Sequence, residues 1–315
     1  MKKPNFPWKL RFLLFISKLR GRNRIVTPEL PIEENRENND KAARAANHLY
    51  NKKVEIAHIE NYEFGGQKLR TYRNSDKPNQ KVILYFHGGG MMFYDLEAQD
   101  YNCRRVCLDN DCVVVNANYR LAPENKFPAA HDDAAAMLNW VHENIELLHG
   151  DKCKIITMGD SAGANLAGYL AGHARDNKKI PDLLAQVLIY PWTDVNSAQY
   201  QSAKDYGDKN YVLSMADIEF FTNAYFASPE DAANPSANLM AQANLKAMPQ
   251  TLILVAEFDP LCDQGVEYGE KLRAAGVGVQ TIYYKNAVHG FMSFLDAQFK
   301  NSEPLHDIKA FISAL

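Results

Sequence analysis

The chain has 315 residues, 46% hydrophobic and 23% charged, with a net charge of −3. That is ordinary for a soluble globular protein, and the charge gives no reason to expect a nucleic acid or an anionic membrane as partner. The five cysteines (Cys103, Cys107, Cys112, Cys153, Cys262) are odd in number and lack a Cys-x-x-Cys pair. They read as free thiols of a reducing, cytoplasmic compartment, without a zinc site or other cofactor.

At the N-terminus, Lys2 and Lys3 precede an apolar segment interrupted by Lys9, Arg11 and Lys18. Its clean run, Phe12 to Ile16, falls short of the roughly 7–15 residues of a signal core, and Arg20, Arg22 and Arg24 follow where a cleavage site would stand. The segment reads as an amphipathic helix, without stable membrane insertion. Covering apolar surface of its own protein is the commoner use of such a helix, and lying on a membrane interface the rarer. Residues 1–50 are helix-like, with a polar linker over 31–37.

Residues 54–64 and 68–72, joined by Gly65-Gly66, predict an antiparallel strand pair. Continuous apolar runs over 82–86, 112–115, 155–158, 187–190 and 252–255 predict buried strands, and 279–284 predicts a last one. Helices are expected over 97–108, 131–148, 261–275 and 305–314. This alternation predicts one α/β domain over 1–315: a mostly parallel sheet of about eight strands with helices on both faces. Residues 194–235, aromatic and without strand character, read with about 1–50 as a helical cap over the strand ends. The sequence leaves the oligomeric state, including a homodimer, undetermined.

Gly159-Asp160-Ser161-Ala162-Gly163 lies between a predicted strand and a predicted helix. A Gly-x-Ser-x-Gly in that setting is a nucleophile elbow, with the serine hydroxyl exposed at a sharp turn. After the strand ending at Phe86 comes His87-Gly88-Gly89-Gly90, where backbone amides can converge on an oxyanion. Gly88 and Gly89, joined by Ala162, are the expected donors, and His87 is expected to support the loop. The base should follow the last strand, where His289 stands. His48, His142, His149 and His173 fall in helix-like segments. For the acid, Asp259 ends the preceding strand; Glu257, Asp263 and above all Asp194 are its rivals on topology.

Several segments together resemble the hormone-sensitive-lipase-like family of α/β-hydrolases, microbial carboxylesterases with a His-Gly-Gly-Gly loop. They are His87 to Gly90, Tyr119 to Glu124, Phe127 to Ala130, Gly159 to Gly163, Tyr190-Pro191, Asp259 to Gly265 and His289-Gly290-Phe291. The resemblance implies the α/β-hydrolase fold, Ser161 as nucleophile, Asp259 as acid and His289 as base. It also implies an oxyanion hole of Gly88, Gly89 and Ala162, and it favours Asp259 over Asp194. The chain departs from the pattern in the bulky Met91-Met92-Phe93-Tyr94, in Glu257 where glycine is usual, and in Cys262-Asp263-Gln264. Met91, Met92, Tyr94 and Phe291 are the expected substrate-binding residues. The reaction expected is hydrolysis of a small, short-to-medium-chain acyl ester through an acyl-enzyme. An amidase or arylformamidase could use the same triad, and a non-catalytic receptor of this fold would lack the histidine.

Overall fold

A computed structural model describes residues 4–19, 25–50, 54–177, 179–209 and 211–315. Lys2, Lys3, Arg20, Arg22 and Arg24 lie outside the described residues. Eight strands form one sheet: β1 (His58–Phe64), β2 (Gln67–Arg73), β3 (Gln80–Phe86), β4 (Val113–Ala117), β5 (Gly150–Asp160), β6 (Ala185–Ile189), β7 (Gln250–Phe258) and β8 (Val279–Val288). Their order is β1-β2-β4-β3-β5-β6-β7-β8. The β1–β2 and β2–β4 pairs are antiparallel and the rest parallel. The β1–β2 turn uses Gly65 and Gly66 at φ 59° and 78°, the left-handed pair that a two-residue hairpin requires.

The helices are α1 (Trp8–Leu19), α2 (Ile32–Tyr50), α3 (Asp100–Asn110), α4 (Ala129–Glu143), α5 (Ala162–Asp176), α6 (Gln201–Tyr206), α7 (Met215–Tyr225), α8 (Pro229–Ala233), α9 (Cys262–Ala274), α10 (Leu295–Gln298) and α11 (Glu303–Ser313). Side chains of a strand alternate between faces, and the buried residues follow that period. Leu84, Phe86, Val115 and Ile253 share one core cluster with residues of α4, α5 and α9. Ile83, Tyr85, Val114 and Leu254 share another with residues of α3 and α11. Helices thus cover both faces, which explains the unbroken apolar runs of the central strands.

The sequence expectation fails in two places. Residues 32–37 are the opening turns of α2 instead of a linker: Pro31 precedes the helix, and Glu33 and Glu34 face its positive end. His149 lies beyond α4, in a loop at φ 54°. The segments at 1–50 and 194–235 both pack on chain that leaves the carboxyl ends of strands. Phe6 and Leu10 cluster with Phe258 and Val288. The Phe221 ring meets Phe93 edge-on at 5.8 Å. The amide of Val26 donates to Asp217 Oδ1 at 3.0 Å, tying the two segments to each other.

Candidate active site

Ser161 joins β5 to α5 with φ 54° and ψ −117°, a conformation that costs a non-glycine residue energy and persists only where its surroundings impose it. They do so closely. A Cβ on Gly163 would lie 2.1 Å from the Phe86 carbonyl oxygen and 2.5 Å from that of His87, so only glycine lets α5 pass this near β3. The Ser161 amide donates to Ile189 O, and its carbonyl accepts from the Trp192 amide. Ala162 opens α5, where backbone N–H groups have no partner within the helix.

His289 and Asp259 follow β8 and β7 at the same end of the sheet. His289 Nδ1 is 2.8 Å from Asp259 Oδ2, and Nε2 is 3.0 Å from Ser161 Oγ. With Nδ1–H donating to the carboxylate, Nε2 presents a lone pair to the serine hydroxyl. Asp259 is fully buried, and its Oδ1 accepts the Leu261 amide at 2.8 Å. The rival acids are engaged elsewhere. Asp194 accepts from Gln199, Tyr200 and Asn238. Glu257 accepts the Asn286 amide, and Asp263 that of Ser202.

His87 is buried under the glycine loop, as expected. Its ring stacks on Tyr119 at 4.4 Å and meets Asn118 Oδ1 and Gly88 O, and burial lowers its pKa. The Tyr119 hydroxyl donates to the His87 and Gly88 carbonyls, holding the loop from below. Gly88 requires a correction. Its amide donates to Asp160 Oδ1 at 3.2 Å, so it is engaged by the residue before the serine instead of standing open to a ligand. Among the described residues, no acceptor faces the amides of Gly89 and Gly90, which lie at φ 101° and 62°.

Asp160 is a site residue that the sequence reading missed. It occupies the variable position of the motif, yet it is an acid placed where strand and helix are both apolar, and that placement is the available signal. The Tyr85 hydroxyl donates to Oδ1 at 2.9 Å and the Tyr190 hydroxyl to Oδ2 at 3.4 Å. Burial pushes its pKa up to about 6, against the lowering by Tyr85, the His289 charge and the Gly88 amide.

The expected substrate-binding residues divide. The Tyr94 ring covers Gly89, where a Cβ would be 2.8 Å from Tyr94 Cδ2. Met91 lines a cavity with His131, Asn165, Trp192, Tyr225 and Phe226 that has room for about one water molecule. Met92 and Phe291 are fully buried. Phe291 packs edge-on against Tyr190, Tyr284 and Phe299 in the core, and Tyr190 in turn lies against the His289 ring. The cavity's polar end was also missed. His131 meets Tyr225 Oη at 2.8 Å and Asn165 Oδ1 at 3.1 Å, and burial lowers its pKa to about 4. Arg36 of α2 was missed as well: it donates to the Met92 and Ala122 carbonyls and pairs with Glu124. All five cysteines are free, and only Cys153 is exposed. Among the described residues no cluster of three or more His, Cys, Asp or Glu could hold a metal.

A nucleophile elbow, a serine–histidine–aspartate line and a glycine loop at the carboxyl ends of a parallel sheet define an α/β-hydrolase. The model of the alpha/beta hydrolase fold family matches residues 83–293, and the chain belongs to that family. The relatives it matches include carboxylic ester hydrolases. The carboxylic ester hydrolase LipN of Mycobacterium tuberculosis is 37% identical over 229 residues, which are 71% of this chain and 60% of LipN. The ethyl acetate hydrolase of Pseudomonas putida is 36% identical over 211 residues, 67% of this chain and 66% of that one. The chain thus spans somewhat under two thirds of the length of these two relatives. The solved structure of a hyperthermophilic esterase from Pyrobaculum calidifontis is 33% identical, with a TM-score of 0.89 over 96% of this chain and 97% of that one.

Proposed function

We propose that the protein is a serine esterase that hydrolyses small carboxylic esters through an acyl-enzyme, with Ser161 as nucleophile, His289 as base and Asp259 as acid. The observation that carries this reading is the single imidazole held between Ser161 Oγ at 3.0 Å and Asp259 Oδ2 at 2.8 Å. As the serine attacks the ester carbonyl, His289 Nε2 takes its proton, and Asp259 stabilises the imidazolium. The amides of Ala162, Gly89 and Gly90 receive the oxyanion, while Gly88 is held back by Asp160. The alcohol leaves with the proton from His289, and water then repeats the sequence on the acyl-enzyme. No metal or organic cofactor enters any step.

The segments at 1–50 and 194–235 form the cap on this reading, with Arg36 fastening α2 to the loop after the glycines. The cavity lined by Asn165 and Trp192, whose amides both donate to the Ser161 carbonyl, leaves no room for a long acyl group, and the name of the ethyl acetate hydrolase relative also supports short ones. The free thiols favour the cytoplasm, a small ester is the expected partner, and sedimentation of the purified chain would reveal a homodimer.

The decisive experiment pairs Ser161→Ala with covalent trapping by a fluorophosphonate. Turnover of nitrophenyl acetate should fall by a factor on the order of 10⁴–10⁶, and the adduct should map to Ser161. Residual turnover close to wild type, or an adduct elsewhere, sinks the assignment. Matched amides should react far more slowly than esters; the reverse would make the protein an amidase on the same triad.

A further inference from the structure

The N-terminal helix has a second face that the fold does not use. Phe6, just before α1, and Leu10, within it, are buried against Phe258 and Val288, the residues just before Asp259 and His289. The Asn5 amide donates to Asn286 Oδ1, which fixes the start of the helix on β8. The opposite stripe is open: Trp8 is 73% exposed, Phe12 55% and Phe15 56%. Positions i, i+4 and i+7 share one helix face. Among the described residues only six large hydrophobic side chains are exposed, and the other three (Leu108, Leu147 and Tyr283) are each less exposed than these and stand apart from one another in the chain. Exposed Lys9 and Arg11 flank the aromatic stripe.

Charge identifies what this face fits. The first 24 residues hold eight of the 35 Lys and Arg and none of the 38 Asp and Glu, so the remaining chain carries 27 cations against 38 acids. The net charge of −3, which gave no sign of an anionic partner, is the sum of a cationic N-terminal segment and an acidic body. Aromatic side chains on one helix face, flanked by cations and opposed by an anchored face, are the arrangement that lies in the headgroup region of a bilayer. No helix among the described residues is long and apolar enough to cross a membrane, so such contact would be peripheral. We propose that α1 docks the protein on an anionic lipid surface, with Trp8, Phe12 and Phe15 entering the interface and the flanking cations meeting lipid headgroups.

Flotation of the full-length protein with vesicles tests this. One set is phosphatidylcholine alone, and the other is equal parts phosphatidylcholine and phosphatidylglycerol. The protein should bind the anionic vesicles, bind the neutral ones at least about tenfold more weakly, and leave the anionic vesicles as salt rises. A Trp8→Ser, Phe12→Ser, Phe15→Ser variant should lose about tenfold or more, with an unchanged melting temperature because the three side chains are exposed. Lys9→Gln with Arg11→Gln should also lose about tenfold or more, since each cation near such a surface contributes about fivefold. Wild-type protein that ignores anionic vesicles, or a triple variant that binds as tightly, would overturn the proposal. So would a wild-type dimer that the triple variant converts to monomer without any vesicle binding, because the stripe would then cover a second copy. None of these readings depends on ester hydrolysis.

Discussion

Asp160 Oδ1 stands 3.2 Å from the Gly88 amide, so the residue preceding Ser161 also fixes the first glycine of the loop across from it. A buried carboxylate is an expensive anchor. Its pKa of about 6, against an ordinary 3.8, corresponds to roughly 3 kcal/mol. The folded state holds this proton more tightly than the unfolded chain. The group therefore stabilises the fold below about pH 4, and that stability is lost as pH rises towards 6. Asp160→Asn keeps an acceptor for Gly88 and Tyr85 but removes the charge. The variant should gain stability relative to wild type in urea melts at pH 7, and much less at pH 4. An equal difference at both values would place the raised pKa elsewhere.

The same pair predicts a split in activity. Asp160→Asn should stay within about tenfold of wild-type kcat/KM, because Gly88 remains tethered. Asp160→Ala frees the amide and the loop, and should cost about a hundredfold or more, the scale of a lost oxyanion donor. If the two variants behave alike, the tether is not what orients the glycines.

Close packing around the elbow should appear as an asymmetry between two glycines of α5. At Gly163 the added methyl meets backbone at 2.1 Å and cannot be accommodated by a rotamer change. Gly163→Ala should therefore lose at least about 3 kcal/mol, seen as a lowered melting temperature or failure to fold. At Gly172 the nearest atoms are the Gln242 side chain at 3.7 and 3.9 Å, so Gly172→Ala should be neutral or stabilise by up to about 1 kcal/mol. A well-folded Gly163→Ala protein would contradict the close approach of α5 to β3.

What was legible in the sequence follows from how far each signal reaches along the chain. Strands buried on both faces print as apolar runs, and the elbow and glycine loop print as short fixed spacings, so the fold, Ser161 and the loop were readable locally. His289 and Asp259 were readable because the sheet's order brings neighbouring strand ends together, although Asp194 stayed open until the resemblance was used. The engagement of Gly88 was not readable, since it depends on where the Asp160 side chain points. Phe291 looked like a pocket residue through its place beside His289, but the left-handed turn at Gly290 and the 3-10 turn that follows put it in the core. The start of α2 looked like a linker because its polar residues serve the helix end and not a buried face. Arg36, His131 and Tyr225 act through partners dozens of residues away, and no local pattern marks them.

The cavity lined by Asn165, Trp192 and Phe226 has room for about one water molecule, which predicts an acyl-length limit that enlarging it would move. Phe226 lines it and packs on Tyr225 at 5.0 Å and on Phe127 at 5.9 Å. Wild type should be fastest on acetyl and butyryl nitrophenyl esters. Phe226→Ala should shift the optimum by about two carbons or more, at a stability cost of about 3 kcal/mol. A wild-type maximum on long chains, or no shift in the variant, would show that acyl groups bind elsewhere.

Two aspartates at neighbouring strand ends offer the sharpest test of the acid. Asp259 is buried with Oδ2 on His289 Nδ1, whereas Asp194 accepts from Asn196, Gln199 and Tyr200 of its own loop and from Asn238 beyond α8. Asp259→Asn can present its amide nitrogen or its carbonyl oxygen to Nδ1, but it cannot stabilise an imidazolium by charge. It should lower kcat by a factor on the order of 10³–10⁴ and leave KM and the melting temperature nearly unchanged. Asp194→Asn keeps one acceptor oxygen but turns the other into a donor facing the donors of its partners, so it should lower stability by about 1–3 kcal/mol with kcat within a few-fold of wild type. Steady-state kinetics and thermal melts on both variants separate the roles. A larger kcat loss in Asp194→Asn than in Asp259→Asn would reassign the acid to the loop after β6.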